Sequence, residues 1–241
     1  MIPMQTSTQD EILALFDSLT NQNSSLMMTK SYQGIILSHE IKAVTINTHR
    51  VVFQAFDRDI CAALDGCVYL HNESLSRPVK ARVKDLSVRS GMFSLSDFSY
   101  LEGDWQERLH ERVQPKDPTY VSLRYKRMDI RASMLDISIN GMGVLVGTAD
   151  DPKLHFQTNS CVCTDFHTSP TFRWTKLGGA IHYQQKMAQS IVRLGIRLYP
   201  KLEQARQLEK YIAKRKDEIM EELDQTFIAA SIPSGVECQF F

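Results

Sequence analysis

The chain has 241 residues, enough for one large domain or two small ones, and its 28 Lys and Arg balance its 28 Asp and Glu. Zero net charge argues against the broad electrostatic attraction that binding to nucleic acid or to an anionic membrane surface requires, so any anion site must be a local cluster. Hydrophobic residues make up 43% and charged residues 23%, as in an ordinary globular protein, and no apolar run approaches the ~20 residues of a membrane span.

The N-terminal stretch MIPMQTSTQDEILALF has early acids and neither a basic region nor an apolar one, so it does not read as a secretory signal. Five cysteines (Cys61, Cys67, Cys161, Cys163 and Cys238) are odd in number and follow no framework spacing, which fits a reducing compartment. A cytoplasmic location without membrane insertion is expected.

Residues 9–19, QDEILALFDSL, place Ile12, Leu13, Leu15, Phe16 and Leu19 at helical spacings behind Ser7 and Thr8 as caps, and predict a short amphipathic helix. From about Leu26 to Tyr100 the pattern turns to strands: GIILS, AVTIN, RVVFQAF, CVYLH, VKARVKDLSV and GMFSLSDF, separated by polar or Gly breaks. Short strands at this spacing predict a small antiparallel barrel or sandwich. RDICAALDGC between two of them reads as one helical turn over a barrel end. VKDLSVRSG echoes the later MLDISINGMG, and a common strand-to-turn pattern is the favoured explanation over duplication.

LEGDWQE (101–107) has few apolar positions and marks the domain boundary. Beyond it, VQPKDP stays extended because of its prolines. TYVSLRY, MDIRASMLDIS, GMGVLVG, TNSCVCTDFHTSP, TFRWTKLGGAIHYQQKM and IVRLGIRLYP then read as strands of a second antiparallel barrel, with Gly178-Gly179 marking a bulge or a close approach. KLEQARQLEKYIAKRKDEIMEELDQTF aligns Leu202, Ala205, Leu208, Ile212, Ile219, Leu223 and Phe227 on one stripe of a helix about 40 Å long. Its first half is expected to pack on the barrel. For the rest, pairing with another copy of the chain is weighed ahead of folding back on the N-terminal domain. The fold expected is mainly β: an N-terminal β-rich domain (1–103), a β-barrel with an arginine arm (104–200), a C-terminal helix (201–230) and a tail (231–241).

The chemistry concentrates between Trp105 and Val146. Arg108-x-x-x-Arg112 places two planar forks on an extended arm, suited to bidentate bonds with phosphate and to the O6/N7 edge of guanine. Asp136-x-Ser138-x-x-Gly141-x-Gly143 supplies an acceptor for guanine N–H groups, a hydroxyl, and glycines that permit positive φ and close approach of backbone amides. Each half recurs by chance in many chains, and Asp and Ser often do no more than cap a turn. The signal is their order, their separation and the strand-like text between them.

This stretch resembles a PilZ domain, the bacterial receptor module for cyclic di-GMP, whose pattern is R-x-x-x-R in an N-terminal arm followed by [D/N]-x-S-x-x-G at a strand end. The matching residues are Arg108, Arg112, Asp136, Ser138 and Gly141, and LGIRLYPKLEQARQLEKYI is similar to the last strand and closing helix of the family. The similarity covers roughly 107–215. The β-rich domain ahead of the arm is similar in layout to the flagellar-brake type of two-domain PilZ protein. The resemblance implies a six-stranded barrel and binding of cyclic di-GMP by the arginines on one side and Asp136, Ser138, Gly141 and Gly143 on the other. It also implies signalling to a downstream protein of the flagellar motor, pilus or polysaccharide machinery. Glu107 stands where family members often carry a further basic residue, which leaves open one ligand or a stacked pair. An arm ordered by a bound dianion is expected to reset the angle between the two domains.

Three other readings compete with this one. Cys161, Cys163, Asp165 and His167 alternate on a strand near His155, but zinc pairs usually follow C-x₂₋₄-C with a second distant pair, and core-facing cysteines are expected instead. No nucleophile elbow, Walker loop or H-E-x-x-H is present, so no enzyme, cofactor or metal is expected. A nucleic-acid-binding barrel would interleave aromatic and basic residues, for which Tyr120, Arg124, Tyr125 and Arg127 come nearest, but the neutral charge disfavours it. The alternative kept beside the receptor is a PilZ-fold scaffold with a weak or vestigial nucleotide site.

Overall fold

A computed structural model of the chain describes residues 8–102, 111–149 and 154–232. Two compact units emerge, each built around a closed six-stranded antiparallel barrel, and a long helix follows the second barrel.

The N-terminal barrel comprises β1 (Leu26–Tyr32), β2 (Ile35–Ile46), β3 (Arg50–Ala55), β4 (Cys67–His71), β5 (Val79–Ser87) and β6 (Met92–Tyr100). Their order around the barrel is β1-β2-β3-β6-β5-β4, closed by pairing of β1 with β4. GIILS and AVTIN are not two strands but one, because Ile35, Leu37, Ile41 and Ala43 hold a period of two through the polar residues between them, all four buried. A 3-10 turn, Asp59–Ala63, falls where the single helical turn was expected. Helix α1 (Thr8–Asn21) starts with Thr8 inside it rather than ahead of it. It buries Ile12, Leu13, Phe16 and Leu19, and the Phe16 ring meets Phe53 and Phe98 edge-on at 5.9 and 5.3 Å between centroids.

The C-terminal barrel comprises β7 (Tyr120–Tyr125), β8 (Met128–Ser138), β9 (Gly141–Gly147), β10 (Cys161–Ser169), β11 (Phe172–Ala188) and β12 (Ile191–Leu198), in the order β7-β8-β9-β12-β11-β10. The two barrels therefore share one topology. The echo between VKDLSVRSG and MLDISINGMG pairs β5 with β8, which are not equivalent strands in that topology, and it is an ordinary strand-to-turn pattern.

On β10 the inward positions are Val162, Thr164 and Phe166. Cys161 is exposed and Cys163 half-buried on the opposite side, so the expectation of core-facing cysteines is corrected: the larger apolar residues at alternate positions take the core. The bulge expected at Gly178-Gly179 lies instead at Thr175 and Lys176, where the pairing with β10 shifts and Lys176 has φ 51°. Gly179 is a close approach, since a Cβ there would stand 2.6 Å from the carbonyl oxygen of Arg197.

Helix α2 (Leu202–Ser231) buries Leu208, Tyr211, Ile212, Ile219 and Leu223, but Leu202, expected on the same apolar stripe, is exposed in its first turn. Tyr211 packs edge-on against Trp174 and Phe172 of the second barrel at 5.6 and 5.4 Å. Leu223, assigned to pairing with another chain, is already 1% exposed within a single one. Among the described residues no helix is long and apolar enough to cross a membrane.

Candidate functional site

Where β8 passes into β9, the pairing aligns Asp136 with Gly143 and Ser138 with Gly141. Across the next strand, Gly143 aligns with Gly195 and Gly141 with Arg197, and Gly195 in turn aligns with Tyr183 of β11. The alternate residues Met142, Val144, Leu194 and Ile196 are buried in the barrel. The row Asp136–Gly143–Gly195–Tyr183 thus runs across the outer face of the barrel, two side chains at its ends and bare backbone between them.

The glycines matter for what they lack. Neither Gly141 nor Gly143 has a positive φ, so the expected left-handed turn is not their role. A Cβ on Gly143 would stand 3.0 Å from the Asp136 carboxylate, and one on Gly195 would stand 2.1 Å from the Tyr183 ring. A Cβ on Gly141 would meet Ser138 Oγ at 3.4 Å and Arg112 Nη2 at 3.5 Å. Three missing methyls let a carboxylate, a phenol ring and a guanidinium lie down on the sheet.

Residues 111–114 bring Arg112 to this floor. Val113 makes a two-way backbone bridge with Ile137, N–H to O both ways at 3.0 Å, and so zips the arm to β8 between Asp136 and Ser138. Helix α2 holds the same segment: Arg215, 3% exposed, donates from Nε to the Gln114 carbonyl at 3.0 Å, and Lys216 pairs with Glu111. Arg112 Nη1 then donates to Asp136 Oδ1 at 2.8 Å. Ser138, 3% exposed, donates to the carbonyl of Gly141 at 3.2 Å, which closes the turn and fixes its hydroxyl.

Of the residues singled out in the sequence, Arg112, Asp136, Ser138, Gly141 and Gly143 come together. Arg108, Glu107 and His110 lie outside the described residues. Three side chains at the site carried no motif. Arg193 Nη2 stands 3.7 Å from Asp136 Oδ2, and its buried Nε has no hydrogen-bond partner. Arg197 is exposed and aligned directly with Gly141. Tyr183 lies over Gly195. A usable signal was present in IVRLGIRLYP, where Arg193, Gly195 and Arg197 alternate with four apolar residues and so must share the outer face.

Three guanidiniums against one carboxylate leave the site cationic inside a chain of zero net charge. Such a site can hold a dianion by charge-assisted hydrogen bonds, and its flat floor and phenol ring suit a planar base.

The amino-acid sequence matches no family model and no curated protein. Among solved structures, the chain is similar to Escherichia coli YcgR in complex with c-di-GMP, at 15% identity over 89% of this chain and 93% of that one, with a TM-score of 0.44. It is similar to the K. pneumonia MrkH–c-di-GMP complex at 12% identity over 91% and 98%, with a TM-score of 0.45. The isolated PilZ domain of E. coli YcgR with c-di-GMP matches 50% of this chain and 99% of that one at 21% identity, with a TM-score of 0.40.

Proposed function

We propose that this protein is a receptor for cyclic di-GMP and that the outer face of β8, β9 and β12 binds the dinucleotide. The observation that carries this reading is the placement of Arg112 against Asp136 over the glycine floor, with Ser138 beside them. A guanine base presents an acceptor edge, O6 and N7, and a donor edge, N1–H and N2–H. Arg112 is a donor fork and Asp136 an acceptor, so one pair of neighbours can read both edges. Arg193 and Arg197 supply charge for the two phosphates, and Tyr183 supplies a stacking surface.

Arg108, four residues before Arg112 in the sequence, supplies the second guanidinium of the R-x-x-x-R pair for the ligand. Binding of the ligand resets the orientation of the domain ahead of the arm, and a downstream protein reads that change. Small-angle scattering with saturating ligand should change; an unchanged profile at saturation sinks the output, not the binding.

Selectivity tests the reading itself. Cyclic di-GMP should bind, and cyclic di-AMP, which presents a donor where guanine has O6, should bind at least tenfold more weakly. Equal binding of both would leave only phosphate recognition, and no binding of either would favour a scaffold that has lost its nucleotide site.

A further inference from the structure

The N-terminal barrel carries a mixed nitrogen and oxygen donor set that the nucleotide site does not use. His39, Asp57 and Asp59 each offer one ligand atom, and these atoms lie within 4.8 Å of one another. Among the described residues no other group of this kind is present.

Strand pairing builds it. β2 and β3 align Ile41 with Ala55 and Lys42 with Gln54, and the Phe56 N–H continues the ladder to the Glu40 carbonyl at 3.3 Å. The next step of that register sets His39 opposite Asp57. The 3-10 turn that starts at Asp59 then folds the second carboxylate back toward them, and Asp59 Oδ1 accepts the Ile60 N–H at 2.8 Å. His39 is on the inward register of β2 with Leu37 and Ile41, yet its ring reaches the barrel rim and is 19% exposed.

His39 Nδ1 stands 3.5 Å from Asp57 Oδ2. That is longer than an N–H···O hydrogen bond, usually ~2.7–3.2 Å. It is about the separation of two ligands on one tetrahedral ion, given metal–nitrogen and metal–oxygen bonds of roughly 2.0–2.2 Å. Two carboxylates and a neutral imidazole carry the charge that one divalent cation cancels. Arg58, between the two acids in sequence, gives its Nη1 to the carbonyl of Arg89. The Asp57 side chain is 75% exposed and free to turn onto an ion.

We infer that His39, Asp57 and Asp59 form a binding site for a divalent first-row transition-metal ion of the Zn²⁺ class. One imidazole and two carboxylates suit such an ion, and three protein ligands leave coordination positions for water. The ion would pin residues 56–59 to β2 and so fix the end of the first barrel. The site lies wholly within that barrel, so it stands or falls apart from the nucleotide reading.

The test uses the full chain, reduced and treated with a chelator, then titrated with Zn²⁺ by calorimetry and with Co²⁺ by absorption. One Zn²⁺ per chain should bind, with a rise in melting temperature by linkage. The Co²⁺ form should show ligand-field bands without thiolate-to-cobalt charge transfer. His39→Ala and Asp59→Asn should lose the ion while circular dichroism and cyclic di-GMP binding stay as in the wild type. Should His39→Ala fail to fold, Asp57→Asn, an exposed position, decides in its place. No Zn²⁺ uptake by the wild type overturns the inference. So does unchanged uptake in the variants, or a thiolate band that puts the ion on the cysteines.

Discussion

Arg112 and Asp136 form a part-exposed ion pair, 2.8 Å between Nη1 and Oδ1, held on one side by a backbone bridge one residue along on each chain segment. Asp136 also faces Arg193 and is 14% exposed. Asp136→Asn keeps the shape and removes the charge. Because Arg112 remains 30% exposed, the stability loss should be small, roughly 1 kcal/mol or less by urea unfolding. Affinity for cyclic di-GMP should fall about tenfold or more by calorimetry, because the acceptor for guanine N–H groups is weakened.

The glycine floor makes a prediction in which stability and binding separate. Gly143→Ala places a methyl 3.0 Å from the Asp136 carboxylate and must push it aside. Alanine's advantage in a strand, ~0.5–1 kcal/mol, offsets the crowding, so stability should stay within about 1 kcal/mol while ligand affinity drops. Gly195→Ala meets the Tyr183 ring at 2.1 Å and cannot be absorbed without moving it. Overpacking of about 1–3 kcal/mol is expected, a fall in melting temperature of some 2–4 °C per kcal/mol in a chain of this size. Thermal scans beside titrations measure both.

Tyr183 contributes its ring rather than its hydroxyl in this account. Tyr183→Ala should weaken binding by roughly 1–3 kcal/mol, the usual worth of one base on an aromatic ring. Tyr183→Phe should bind within a factor of about two or three of the wild type. Equal losses in both variants would mean that the hydroxyl, not the stacking face, meets the ligand.

A pH dependence follows from Tyr211, whose phenol is pushed above its usual value mainly by burial against Trp174 and Phe172. The folded value lies above the unfolded one of about 10, so the neutral phenol's contribution is complete below pH ~10 and is lost as pH rises through the folded value. Urea midpoints taken from pH 8 to 11 should fall at the alkaline end, and Tyr211→Phe should flatten that fall.

Much of the fold was legible because strand periodicity needs only local text. Val121, Leu123 and Tyr125 alternate along β7 and mark its inward side, whereas on β10 the sequence reading put the cysteines inward and the larger Val162, Thr164 and Phe166 took that side. The union of GIILS and AVTIN into β2 was hidden by His39 and Glu40, polar residues inside a strand that runs past the barrel rim. At the site, Arg112, Asp136, Ser138, Gly141 and Gly143 were legible as motif residues. Tyr183, Arg193, Gly195 and Arg197 were not, since only the pairing of β11, β12 and β9 brings them beside Asp136. Arg215 carried no signal in the sequence, because its burial depends on the Gln114 carbonyl 101 residues away.

Calorimetric titration of cyclic di-GMP into the wild type and into Arg112→Ala decides whether this face is a receptor site. The wild type should bind saturably. The variant should lose tenfold to hundredfold in affinity, the equivalent of roughly 1.5–3 kcal/mol for one charge-assisted contact. The wild-type isotherm also gives the stoichiometry that Glu107 leaves open. Absence of heat and of any thermal shift with the wild type, or equal affinity in Arg112→Ala, would contradict the receptor reading.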